Sequence, residues 1–93
     1  MTKTYARMLG TGRCLPEGQL TNADLAKRVN TNNEWIVERT GIRERRLSEN
    51  GTAAMAAEAA QQALADAEIS AEELDLVIAA TSTPDYAFPG VAC

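Results

Sequence analysis

Nine of the sixteen residues from position 52 to 67 are alanine, and no other stretch restricts the fold of this chain so tightly. Alanine is the best helix former and leaves almost no side chain between a helix and its neighbour. The segment therefore reads as one long helix over 52–67, with Thr52 as the candidate cap after the loop Ser48-Glu-Asn-Gly51. Met55, Ala56, Ala59, Ala63, Leu64 and Ala67 fall on one side and form the expected inner stripe. Small residues along that stripe imply a helix buried against another layer.

The flanking segments fit such a layer. Residues 5–9 read as a short strand leading into Gly10-Thr11-Gly12, a structural turn, and Pro16-Glu-Gly18 has turn chemistry. Asn22 is the candidate cap of a helix over 23–29, with Leu25, Ala26 and Val29 on one side. Ser70 and Glu73 are spaced as a capping box before a single helical turn. Leu76-Val-Ile-Ala-Ala80 is a short apolar run of the kind found in a strand covered on both faces. Pro89 stands where a further helix would begin. The order strand–helix–strand predicts a parallel layer with helices packed on it. Apolar residues make up 45% of the chain, but 17 of the 93 residues are alanine and only four are aromatic, Tyr5, Trp35, Tyr86 and Phe88. That is little bulk for an independent core. The expectation is a truncated α/β unit, residues 1–93 forming the N-terminal portion of a larger domain.

The stretch Thr31-Asn-Asn-Glu-Trp-Ile-Val-Glu-Arg-Thr-Gly-Ile-Arg-Glu-Arg45 holds the only tryptophan, and four of the nine basic residues lie between Arg39 and Arg46. Thr31 followed by Glu34 has the spacing of a capping box, and Gly41 suits the left-handed position beyond a helix end. On a helix over 31–40, Thr31, Trp35 and Arg39 lie at i, i+4 and i+8 along one side. A hydroxyl, an indole and a guanidinium in a row form a bed for an aromatic, phosphate-bearing ligand; the alternative for Trp35 is a half-buried core position. Residues 42–47 alternate in charge and read as extended or loop. The arginines suit an anionic partner or a solvated basic face, with Arg43 and Arg45 either on a nucleotide or carrier-protein surface or paired with Glu38 or Glu44.

Other classes are disfavoured. A net charge of −4 argues against non-specific nucleic-acid binding. With no histidine and only Cys14 and Cys93, neither a Cys–His pair nor a metal spacing is present, so no catalytic and no metal-binding residue is assigned. Gly10-Thr-Gly12 lacks the third glycine of a dinucleotide loop, since Leu15 stands there and Pro16 follows. No secretory signal is visible, and the run over 76–80 is far too short for a bilayer, so a soluble cytoplasmic protein is expected. Glu72, Glu73 and Asp75 read as surface or capping groups, Cys14 as packing or surface, and Cys93 as a small buried apolar residue.

Taken in order, Gly10-Thr-Gly12, Thr21-Asn-Ala-Asp-Leu25, Glu34-Trp-Ile-Val37, Arg39-Thr-Gly-Ile-Arg-Glu-Arg45 and Phe88-Pro89 resemble β-ketoacyl-acyl-carrier-protein synthase III, a thiolase-superfamily condensing enzyme. The resemblance runs the length of the chain but covers only the opening part of the family's length. It implies a thiolase-like layered α-β-α fold and the initiating step of type II fatty acid synthesis. In that step a cysteine takes an acyl group, usually acetyl, from coenzyme A. The acyl-enzyme then condenses with malonyl-acyl-carrier protein, with loss of carbon dioxide. The family's catalytic Cys, His and Asn lie beyond residue 93, so this chain alone is expected to be inactive, with acyl-CoA as substrate and no permanent cofactor. By motif match, Thr31 corresponds to the threonine at the adenine end, Trp35 to the tryptophan on which adenine stacks, and Arg39 to the arginine near the nucleotide phosphates. The family's second adenine-stacking arginine is not in this chain. Phe88 matches a phenylalanine that crosses a homodimer interface and closes the partner's acyl pocket. Two alternatives remain at this stage: a related enzyme of polyketide or quinolone-type synthesis with another starter, or a non-catalytic small α/β module binding a nucleotide or protein through the Trp35–Arg46 surface.

Overall fold

Residues 2–93 are described by the structure, a computed structural model; Met1, where the expected domain begins, lies outside them. The elements in chain order are β1 (Gly18–Thr21), α1 (Asn22–Ala26), α2 (Asn33–Thr40), β2 (Glu44–Leu47), α3 (Thr52–Ala67) and a single 3-10 turn at Ala71–Glu73. They divide into two compact units, Leu15–Glu49 and the remainder.

In the Leu15–Glu49 unit, β1 and β2 pair antiparallel in the register Gly18 with Leu47 through Thr21 with Glu44. The extended reading of residues 42–47 thus holds for β2, whereas β1 follows directly from what sequence marks as a turn. Thr21, not Asn22, caps α1. Its hydroxyl accepts from Asp24 N, and the Asp24 carboxylate accepts from Thr21 N, both at 3.1 Å. The Thr21 backbone N–H, followed by its hydroxyl, holds the Asp24 carboxyl below its ordinary value, with Lys27 and Arg28 adding in the same direction. Asn22 is thereby the first helical residue, and the helix stops at Ala26 rather than 29.

Asn22 is only 1% exposed, and a buried amide must find partners. Its Nδ2 donates to Asn33 Oδ1 at 2.9 Å and to the Ile42 carbonyl at 2.8 Å, while Arg45 Nη1 donates to its Oδ1 at 3.2 Å. One side chain therefore joins the starts of α1 and α2 to the strand that follows. The other buried anchor is Ile36, 5% exposed, on the inner side of α2.

In the second unit, residues 10–14 lie along α3. Thr11 N donates to Asp66 Oδ2 (3.0 Å), Arg13 N to Gln62 Oε1 (3.3 Å) and Cys14 Sγ to Glu58 Oε2 (2.6 Å), so the acceptors descend α3 four residues at a time. The intervening glycines meet the helix backbone. A Cβ on Gly10 would stand 2.6 Å from Ala67 N, and one on Gly12 would stand 2.1 Å from Ala59 O. Gly10-Thr-Gly12 is thus a close-approach segment on the alanine helix, not a turn. Of the expected inner stripe, Ala56 is exposed and the rest are partly buried. Gly51 caps α3, with Thr52 the first helical residue, and Glu68 ends it in the left-handed region at φ 58°. The Ser70–Glu73 box is present, with Ser70 N donating to Glu73 Oε2 at 2.7 Å.

Five expectations fail here. Residues 5–9 and 76–80 form no strand, and no parallel pairing occurs among the described residues. Ile78 is 82% exposed. A strand exists only when its backbone groups meet a ladder partner, and neither run has one. No helix begins at Pro89; the chain there makes a turn in which Cys93 N donates to Gly90 O, and Cys93 is exposed rather than buried. No helix of the described residues is long and apolar enough to cross a membrane.

Candidate functional site

Three consecutive residues, Thr31, Asn32 and Asn33, are all able to cap α2, and the structure selects the middle one. Asn32 Oδ1 accepts from Trp35 N at 2.8 Å, which displaces the expected Thr31–Glu34 box by one residue. Asn33 is not free to cap, because its Oδ1 accepts from Asn22. The helix ends as its sequence requires: Gly41 has φ 74°, and its N–H donates to Val37 O at 2.8 Å. Thr40 adds a side-chain bond to Ile36 O at 2.7 Å.

Freed from capping, Thr31 lines a cavity of about 450 Å³ together with Leu25, Val29, Asn32, Trp35 and Ile36. Its Oγ1 is buried and has no hydrogen-bond partner among the described residues. Trp35 stands at the cavity edge with 52% of its surface exposed, so the ring is not packed inward. The Arg39 guanidinium carbon lies 4.8 Å from the ring centroid, one turn further along α2, in cation–π geometry. Thr31, Trp35 and Arg39 are thus brought together. Apolar side chains, an indole and an unpartnered hydroxyl line the cavity, and the exposed Arg39 lies on the indole outside that lining, a combination that suits a planar polar group carrying negative charge. Sequence reasoning missed Leu25, Val29 and Ile36 as the floor and Asn32 as the cap. Leu25 and Val29 had the correct side but not the role.

The neighbouring arginines are partly committed. Arg45 holds Asn22, and Arg46 pairs with Glu44 at 3.7 Å and donates to Pro16 O at 3.1 Å. Among the described residues, Glu44 therefore pairs with Arg46 and not with Arg43 or Arg45. In the other unit, Phe88 is 90% exposed on the segment after Asp85. Cys14 is bound to Glu58, and that hydrogen bond, then burial and the carboxylate charge, push its thiol up.

The motifs around this site match known proteins along nearly the whole chain. The chain is 55% identical to β-ketoacyl-[acyl-carrier-protein] synthase III of Bordetella petrii and 53% identical to that of Thiobacillus denitrificans, with 97% of this chain aligned in each. Over nearly all of its residues the chain is similar to β-ketoacyl-[acyl-carrier-protein] synthase III. It spans about three-tenths of the length of these relatives, 30% and 29%. No family model matches it. Among solved structures, 3-oxoacyl-[acyl-carrier-protein] synthase III from Aquifex aeolicus superposes with a TM-score of 0.78 at 53% identity, covering 91% of this chain and 28% of that one. The priming β-ketosynthase of the R1128 polyketide pathway gives 0.77 at 33% identity, covering 92% and 26%. The fold class is accordingly α/β of the thiolase-like kind, of which this chain is a part.

Proposed function

We propose that this chain forms one wall of the acyl-CoA site in a synthase III that starts fatty acid chains. In this reading Trp35 stacks the adenine, Thr31 meets its edge from the buried Oγ1, and Arg39 serves the nucleotide phosphates. The observation that carries it is the exposed Trp35 ring beside a cavity of about 450 Å³, with Arg39 against it. The whole enzyme would move an acyl group from coenzyme A to a cysteine and condense it with malonyl-acyl-carrier protein. None of these 93 residues is assigned to those reacting groups, so the chain alone is expected to be inactive. Phe88, exposed, would cross to a second copy and close its acyl pocket, making the enzyme a homodimer. The setting is the cytoplasm, where acyl-CoA is found. The polyketide-priming alternative is supported by the R1128 neighbour, but at 33% identity against 53% for the Aquifex synthase it is the weaker reading.

The test is a coenzyme A titration of a full-length synthase III carrying these residues, with Trp35→Ala beside it. Loss of stacking, about 1–3 kcal/mol, should weaken coenzyme A roughly 5- to 150-fold. Unchanged affinity in the variant would remove the assignment.

A further inference from the structure

The loop before Phe88 is fastened to the N-terminus of α3 by an acid that no local signal announces. Asp85 Oδ1 accepts from Thr52 N at 2.7 Å, and its Oδ2 accepts from Ala53 N at 3.1 Å. Both are first-turn donors that the helix itself leaves unpaired, and the helix dipole favours an anion there. Thr52 returns the tie, its hydroxyl donating to the Thr83 carbonyl at 2.7 Å. Gly51 gives the room: a Cβ there would stand 2.6 Å from Asp85 Oδ1. Beyond this clamp, no hydrogen bond holds residues 86–89 among the described residues, and Phe88 projects into solvent. A carboxylate gripped at both oxygens fixes direction as well as position, so the path of the three residues to Phe88 starts from a fixed vector.

We propose that Asp85 is a positioning residue for Phe88, its two-point clamp on α3 setting where the ring is presented and hence which starter acyl chains are admitted. The inference rests on the acyl-pocket reading of Phe88 given above. It is tested in a full-length synthase III carrying these residues, by kcat/KM for acetyl-CoA and hexanoyl-CoA. Phe88→Ala should raise the hexanoyl-to-acetyl ratio. Asp85→Ala should raise it in the same direction by about threefold or more, and should add nothing in the Phe88→Ala background. Asp85→Asn, which keeps one acceptor oxygen, should fall between. Thr52→Val, which removes the return bond but leaves the carboxylate, should shift the ratio the same way and carries the test if Asp85→Ala does not fold. Equal losses for both substrates in Asp85→Ala or Thr52→Val, with the ratio unmoved, would overturn the proposal while leaving Phe88 in place. A ratio unmoved by Phe88→Ala would instead overturn the pocket reading, and the proposal with it.

Discussion

Replacing Asn22 by alanine tests whether one buried amide holds the Trp35 helix in place. The side chain makes two neutral hydrogen bonds, to Asn33 and Ile42, and one to the charged Arg45. Neutral bonds contribute about 0.5–1.5 kcal/mol each, and a charge-assisted one about 1.5–3. Arg45 and the Ile42 segment lie near enough to solvent for water to recover part of this. The expected loss is therefore about 2–4 kcal/mol, large beside the 5–15 kcal/mol typical of whole domains. Trp35 is the only tryptophan, so urea unfolding followed by its fluorescence reads the affected helix directly. Asn22→Asp sharpens the test. It keeps the shape and an acceptor for Arg45, yet turns a carboxylate oxygen toward two other acceptors. It should cost as much as alanine. A loss below about 0.5 kcal/mol in both variants would refute the hub, since surface substitutions stay within that range. An aspartate variant as stable as the parent would show that shape, not donation, matters at this position.

Gly12→Ala should destabilise the α3 unit by about 1–3 kcal/mol, seen as a lower thermal midpoint, because the added Cβ meets backbone atoms that have no rotamer to yield. The Asp24 cap should depend on pH. Its folded carboxyl titrates below the unfolded one, so its stabilisation is complete above the ordinary value of about 4 and is lost as pH falls through the lower folded value. Acid titration of α1 amide shifts checks this, and Asp24→Asn should remove that component. Cys14 should react with a disulfide reagent at pH 8 more slowly than a free thiol, and Glu58→Gln should speed it, because the acceptor carboxylate raises the thiol.

What could be read from sequence were features decided within a few residues. Gly41 ends α2 because only its own dihedral is at stake, and Ser70 meets Glu73 three residues away. The α2 cap was misplaced by one residue because Thr31, Asn32 and Asn33 are all competent locally, and a distant amide, Asn22, takes the third. The clamp of Asp85 on Thr52 spans 33 residues, and the bond from Arg13 to Gln62 spans 49, so no periodicity reports them. Strands were the poorest guide. Residues 76–80 have strand composition and no ladder, whereas Gly18–Thr21 has little strand composition and pairs because Glu44–Leu47 is beside it. The row of Thr31, Trp35 and Arg39 is legible as residue types at helical spacing; the apolar lining beside Trp35 is not, because Leu25 and Ile36 look like any core.

The seam between residues 10–14 and α3 has one more implication. At positions 10 and 12 main chain meets the helix with no side chain between, so the fit at those two positions judges bulk. Natural variants and randomised libraries should accept many residues at positions 11 and 13, whose amides alone are used, yet return glycine at 10 and 12. An engineer grafting this segment onto another scaffold would need to carry those two vacancies along with the helix that fills them.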